Sequence, residues 1–134
     1  MRDAYWKGVT GWTVANVVVA GLAGSLAGAC MGPVGMVVAA IGIAVVAAPP
    51  AVVAGLLCGG PVGALVAVHP LPREGAILLG AVAGMPLGAL EAVLVTAVFL
   101  PTAAGPAVMC LGAVTGAIYG GAAAAFAAPE AAVD

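Results

Sequence analysis

Between Val14 and Val68 the chain runs for 55 residues without one charged side chain. A helix needs only about 20 apolar residues to cross the hydrocarbon core of a bilayer. This stretch is therefore too long for one crossing and too apolar for the surface of a soluble domain. Lipid adds a further constraint. A backbone surrounded by hydrocarbon must satisfy its own hydrogen bonds, which leaves helices or closed barrels. A barrel would show segments of about ten residues alternating polar and apolar. The runs here are uniformly apolar, so helices are expected.

Composition agrees. Hydrophobic residues make up 65% of the 134 positions and charged residues 6%, where a soluble domain carries roughly 25%. Arg2, Lys7 and Arg73 are the only cations. Nucleic-acid binding needs a basic footprint and is excluded on that ground. The first apolar run merges into further apolar sequence without a clear cleavage region, and reads as a retained anchor.

Punctuation then divides the chain. Residues 1–14 hold two cations and the aromatics Tyr5, Trp6 and Trp12. They read as an interfacial segment whose aromatics anchor at the headgroup level. Pro49-Pro50 is the strongest break in the first run, since each proline removes a helix donor. His69-Pro70-Leu71-Pro72-Arg73-Glu74 is a polar loop, and Pro101 to Pro106 breaks the second half. The tail 129–134 is acidic. The domain layout expected is a helix pair over 15–68, the loop 69–74, and a second pair over 75–128. The spans fall near 15–46, 51–68, 76–100 and 107–127, with Pro33 kinking the first. A split near Gly32-Pro33 gives five spans instead. Four spans put Arg2, Lys7 and Arg73 on one side, so the N-terminus and the Arg73 loop are expected in the cytoplasm.

Glycine position carries more than glycine number. A bias to Ala, Gly and Val has a plain compositional cause, but spacing does not. Gly24, Gly28 and Gly32 are four apart, as are Gly55, Gly59 and Gly63. Gly80, Gly84 and Gly88 repeat the pattern, and so do Gly112, Gly116 and Gly120. Spacing of four lines one helix face with small residues and lets backbones approach closely. The triplets also align at a step of 56 or 57 residues, with Pro50-Ala51-Val52 matching Pro106-Ala107-Val108. The fold expected is an all-α integral membrane protein of four transmembrane helices, a tandem duplication of a glycine-zipper pair. The glycine faces close either within the chain or against other subunits.

Glu91 is the one charge deep inside an apolar run. A carboxylate there should be protonated, paired or turned to a polar cavity. It is either a proton or cation site, or a polar tie between helices. The stretch Gly88-Ala89-Leu90-Glu91-Ala92-Val93-Leu94-Val95-Thr96-Ala97-Val98-Phe99-Leu100 resembles the carboxylate helix of rotary ATPase proteolipid subunits. Those are also small, glycine-rich hairpins with an Arg-containing polar loop. The resemblance implies proton uptake at Glu91. This chain departs from that pattern in its glycine spacing, in Pro86, and in the short helix before the loop.

Other chemistry is thin. Asn16, Ser25, Thr96, Thr115 and Tyr119 are the polar groups within the runs. Asn16 could bond across helices. Cys30, Cys58 and Cys110 lack metal-ligand spacing, and His69 stands alone in its loop, so neither metal nor cofactor is expected. No nucleophile–base–orienter set appears, so no enzyme is expected. The leading expectation is a non-enzymatic helix-packing or assembly subunit of a homo-oligomer or larger membrane complex. The alternative is an oligomeric channel or proton/cation-translocating subunit using Glu91. A lipid or pigment binder comes third. The partners expected are the lipid bilayer and other membrane subunits, itself included.

Overall fold

A computed structural model describes residues 1–69, 71–99 and 105–128. All the regular structure among them is helical: α1 (Arg2–Gly28), α2 (Gly32–Ala54), α3 (Gly60–Val68), α4 (Arg73–Phe99) and α5 (Pro106–Ala127). A 3-10 turn, Ala29–Met31, joins α1 to α2, and a π turn, Gly55–Gly59, joins α2 to α3. Three helical stretches are long and apolar enough to cross a membrane: Arg2–Val68, Arg73–Ala97 and Pro106–Ala127. The first contains a chain reversal. The Pro101–Ala104 break and the tail 129–134 lie outside the described residues.

The reversal falls at Gly28–Gly32, not at Pro49-Pro50. Gly32 adopts φ 78°, the only positive φ in the described chain, and no atom crowds it. It is a turn glycine, not a packing one. Pro33 sits in the first turn of α2, where its missing N–H costs nothing. The expected helix over 15–46 is therefore two helices.

Pro49 and Pro50 lie inside α2. They leave the Val45 and Val46 carbonyls without helical donors. The helix nonetheless continues through both. Nearby carbonyls receive donors from α1 instead. Thr13 Oγ1 donates to the Ala51 carbonyl at 3.2 Å and Tyr5 Oη to the Leu56 carbonyl at 2.7 Å. Pro61, two residues past the π turn, deprives Leu57 of its usual partner. So α2, the π turn and α3 form one continuous rod antiparallel to α1.

Residues 2–14 belong to α1, which starts at Arg2. Its 27 residues make a rod of about 40 Å. Trp6 is 54% exposed, but Trp12 is 0% exposed and packs edge-on to Tyr119 with ring centroids 5.6 Å apart. Tyr5 is half-buried. The aromatic run thus divides between surface and core.

Two antiparallel hairpins result. In the second, the glycines meet in strict register: Gly80 on Gly120, Gly84 on Gly116 and Gly88 on Gly112. In the first, Gly24 meets Ala39 and Gly28 meets Gly35. Nearer the N-terminus, Gly55 meets Val9 and Thr13, Gly59 meets Gly8, and Gly63 meets Ala4 and Gly8. Eleven of the twelve glycines that the spacing singled out therefore face neighbours within the chain. The 56-residue frame does not coincide with these hairpins. It sets the Gly28–Gly32 turn against Gly84–Gly88, the middle of α4.

The hairpins join at one end only. Trp12, Val62, Val66, Ala76, Tyr119, Ala123 and Ala124 form the shared core there. Gly11 of α1 lies on Ala122 and Ala123 of α5. Beyond this level α2 packs on α1, and α4 packs on α5. Leu26 (77% exposed) and Val34 (76%) illustrate how open the far part of the first hairpin is. Arg2, Lys7, Arg73 and Glu74 all lie at the joined end.

Candidate functional site

Glu91 stands where the two hairpins part. It is on α4, three residues after Gly88, whose close approach to Gly112 fixes this stretch against α5. Its Oε1 accepts a hydrogen bond from Asn16 Nδ2 of α1 at 3.0 Å. This is the one side-chain hydrogen bond between the hairpins among the described residues. The expectation that Asn16 bonds across helices is met, and its partner is the carboxylate.

The carboxylate has capacity left. An ionised carboxylate offers about four lone-pair sites, and Asn16 uses one. Among the described residues, Glu91 Oε2 and Trp12 Nε1 are the buried side-chain polar atoms without a hydrogen-bond partner. The Trp12 indole lies beside the same carboxylate. The indole N–H and the free carboxylate oxygen are thus a donor and an acceptor placed to complement one another, without meeting at full hydrogen-bond geometry.

A cavity of about 290 Å³ opens here. Asn16 and Glu91 contribute its polar wall, with Thr115 and Tyr119 from α5. Ala47, Pro50 and Ala51 of α2 close the other side, and Ala92 and Val95 extend the α4 wall. The cavity exists because α2 and α4 do not meet at this level. Its walls are mostly small apolar side chains, which leave room that larger residues would fill.

The threonine hydroxyls on and beside its wall are already engaged. Thr115 Oγ1 donates within α5, toward the Leu111 and Gly112 carbonyls at 3.1 Å each. Thr96 Oγ1 donates to the Ala92 carbonyl at 2.6 Å. These are ordinary back-bonds of helical hydroxyls. They leave Glu91, with the Tyr119 hydroxyl, as the wall groups with unused hydrogen-bonding capacity.

The remaining expected residues lie elsewhere. His69 ends α3 and is exposed, with Nδ1 3.0 Å from the Leu65 carbonyl. Cys30 and Cys110 are exposed, and Cys58 is half-buried against the core. No grouping of His, Cys, Asp and Glu able to hold a metal occurs among the described residues. Sequence reasoning placed Trp12 at an interface and gave Tyr119 no part. An aromatic residue set among Gly and Ala at mid-helix was the signal available, because such helices have few other large side chains with which to build a core.

No known protein family, curated protein or solved structure matches this chain.

Proposed function

We propose that the chain is an integral, non-enzymatic membrane protein that takes up a proton or a monovalent cation at Glu91. It would act as a small translocating subunit. One observation carries this reading: a carboxylate with an unpartnered oxygen borders a cavity at the parting of two hairpins. Ionisable residues inside membrane helices mark ion or proton pathways by default. The end bearing Arg2, Lys7 and Arg73 faces the cytoplasm, following the positive-inside preference. Four crossings suit this arrangement: α1, the rod from α2 to α3, α4 and α5.

Reconstituted vesicles give the test. Wild-type protein should dissipate an imposed proton or potassium gradient faster than empty liposomes. Glu91→Gln keeps an acceptor for Asn16 and should reduce flux to the empty-liposome level with helical content unchanged. Wild-type flux equal to that of empty liposomes would remove the reading.

A second reading is a packing or assembly subunit of a homo-oligomer or larger complex. The open far part of the first hairpin favours it, where Leu22, Leu26, Val34, Val37, Val45 and Val46 all point outward. The glycine faces do not serve it, because they are occupied within the chain. Any assembly surface would therefore be large and aliphatic. The native mass of the protein extracted in mild detergent decides this, and a monomeric mass rejects it.

A further inference from the structure

The cavity beside Glu91 has a chemistry more specific than "cation". We infer that it binds a small lipophilic ammonium ion, a protonated amine carrying one ring or a short alkyl group. This rests on reading Glu91 as a cation site and narrows what occupies it.

Charge comes first. Glu91 is the only charged side chain on the cavity wall, so a monovalent ion is neutralised and a divalent ion is not. Ligand count comes second. Hard inorganic cations such as Ca²⁺ and Mg²⁺ require about six to eight oxygen ligands. Here Glu91, Asn16, Thr115 and Tyr119 supply the side-chain oxygens, and the Thr115 hydroxyl proton is already directed at its own helix. The rest of the wall is Ala, Gly, Pro and Val. Such a wall solvates methylene and ring carbons, not a bare ion.

Hydrogen bonding and aromatics agree. An ammonium N–H finds an acceptor in the Glu91 carboxylate, which uses one of its four lone-pair sites on Asn16. Tyr119 lines the cavity with Trp12 edge-on behind it, and aromatic rings attract organic cations. Size sets the limit. A volume of about 290 Å³ lies at the lower edge of small-molecule sites, which run from about 300 to 1,000 Å³.

Phenethylammonium is a suitable probe, with phenethyl alcohol as its neutral isostere. Full-length protein carrying Trp6→Phe leaves Trp12 as the sole tryptophan, beside the carboxylate. Titration with phenethylammonium at constant ionic strength should change Trp12 emission saturably. The alcohol, NaCl and KCl should not. Glu91→Gln should weaken binding at least tenfold, and Ala47→Leu, which fills the cavity and leaves the carboxylate in place, should do the same. Equilibrium dialysis of labelled probe supplies an independent readout if emission is insensitive. Equal binding of alcohol and ammonium, or binding unaffected by Glu91→Gln, overturns the inference. Glu91-dependent flux of protons or potassium without ammonium binding also overturns it, while leaving the translocation reading intact. Ammonium binding without any flux supports the inference and removes translocation.

Discussion

Replacing Gly84 by Ala adds one methyl group at the tightest part of the second hairpin. The new Cβ would lie 2.9 Å from the Gly116 carbonyl carbon and 3.0 Å from Gly120 Cα, and closer still to the Gly116 oxygen. Carbon atoms rest about 3.5–4.0 Å apart at their optimum. Backbone cannot swing aside as a long side chain can, so α4 and α5 must separate by roughly 0.5–1 Å. A gap of that size forfeits a quarter to a half of each dispersion contact it opens. Overpacking of this kind typically costs about 1–3 kcal/mol. Helix propensity works the other way, favouring Ala over Gly by about 0.8–1.0 kcal/mol. The expected net result is destabilisation of about 1 kcal/mol, within a range of about 0–2. Gly42 supplies the control. It is also helical, is exposed, and has no atom within 4 Å of the added Cβ. Gly42→Ala should gain the propensity term alone, stabilising by about 0.5–1 kcal/mol. The two variants should thus differ by about 2 kcal/mol, roughly 30-fold in the folding equilibrium. Unfolding by SDS in mixed micelles, followed by circular dichroism, measures the difference. If Gly84→Ala and Gly42→Ala shift stability alike, the reasoning from glycine contact is wrong.

The Asn16–Glu91 bond should show in a double-mutant cycle with Asn16→Leu and Glu91→Leu. A coupling of about 0.6–1.7 kcal/mol is expected for a polar contact between membrane helices, and zero coupling in the same unfolding assay would deny that the bond ties the hairpins. Trp12→Ala should cost about 3–5 kcal/mol as a core truncation, whereas Trp6→Ala should cost under about 0.5 kcal/mol. In single-tryptophan variants, iodide should quench Trp6 and spare Trp12, and equal quenching would contradict the burial of Trp12. Cys30 sits in the turn at the far end from His69. An impermeant maleimide should therefore label Cys30 and a His69→Cys variant from opposite sides of sealed vesicles, and same-side labelling would refute the reversal at Gly28–Gly32.

Helix as the backbone state was legible in the sequence because lipid leaves few alternatives. So was Glu91, since a lone carboxylate in an apolar run stands out without any structure. The position of the first turn was not. Proline at residues 49 and 50 is a strong breaker in water, where freed carbonyls find solvent. In an apolar surround that competitor is missing, and the same pair sits within a helix. Gly32 completes the reversal into α2 because a positive φ suits glycine, and a residue inside a run of evenly spaced glycines gives no hint of that. Spacing placed Gly84 and Gly116 on packing faces but could not name their partners, because an intrachain and an intermolecular face need the same small residues. Trp12 illustrates the last ambiguity. Beside Arg2 and Lys7 it reads as an interfacial anchor, and only the approach of α5 makes it core.

The concentration of charge at one end has a consequence for how such a chain enters a bilayer. Neither reversal, at residues 28–32 or between α4 and α5, carries a charged side chain. Carrying a Lys, Arg or Asp to the middle of a membrane costs at least about 2.5–3.5 kcal/mol, and each hairpin can pass tip-first without that cost. Glu91 alone must be carried inward, and its partner Asn16 belongs to the hairpin made first. In a bilayer the earlier hairpin would thereby present Asn16 to the later one, matching the order of burial to the order of synthesis.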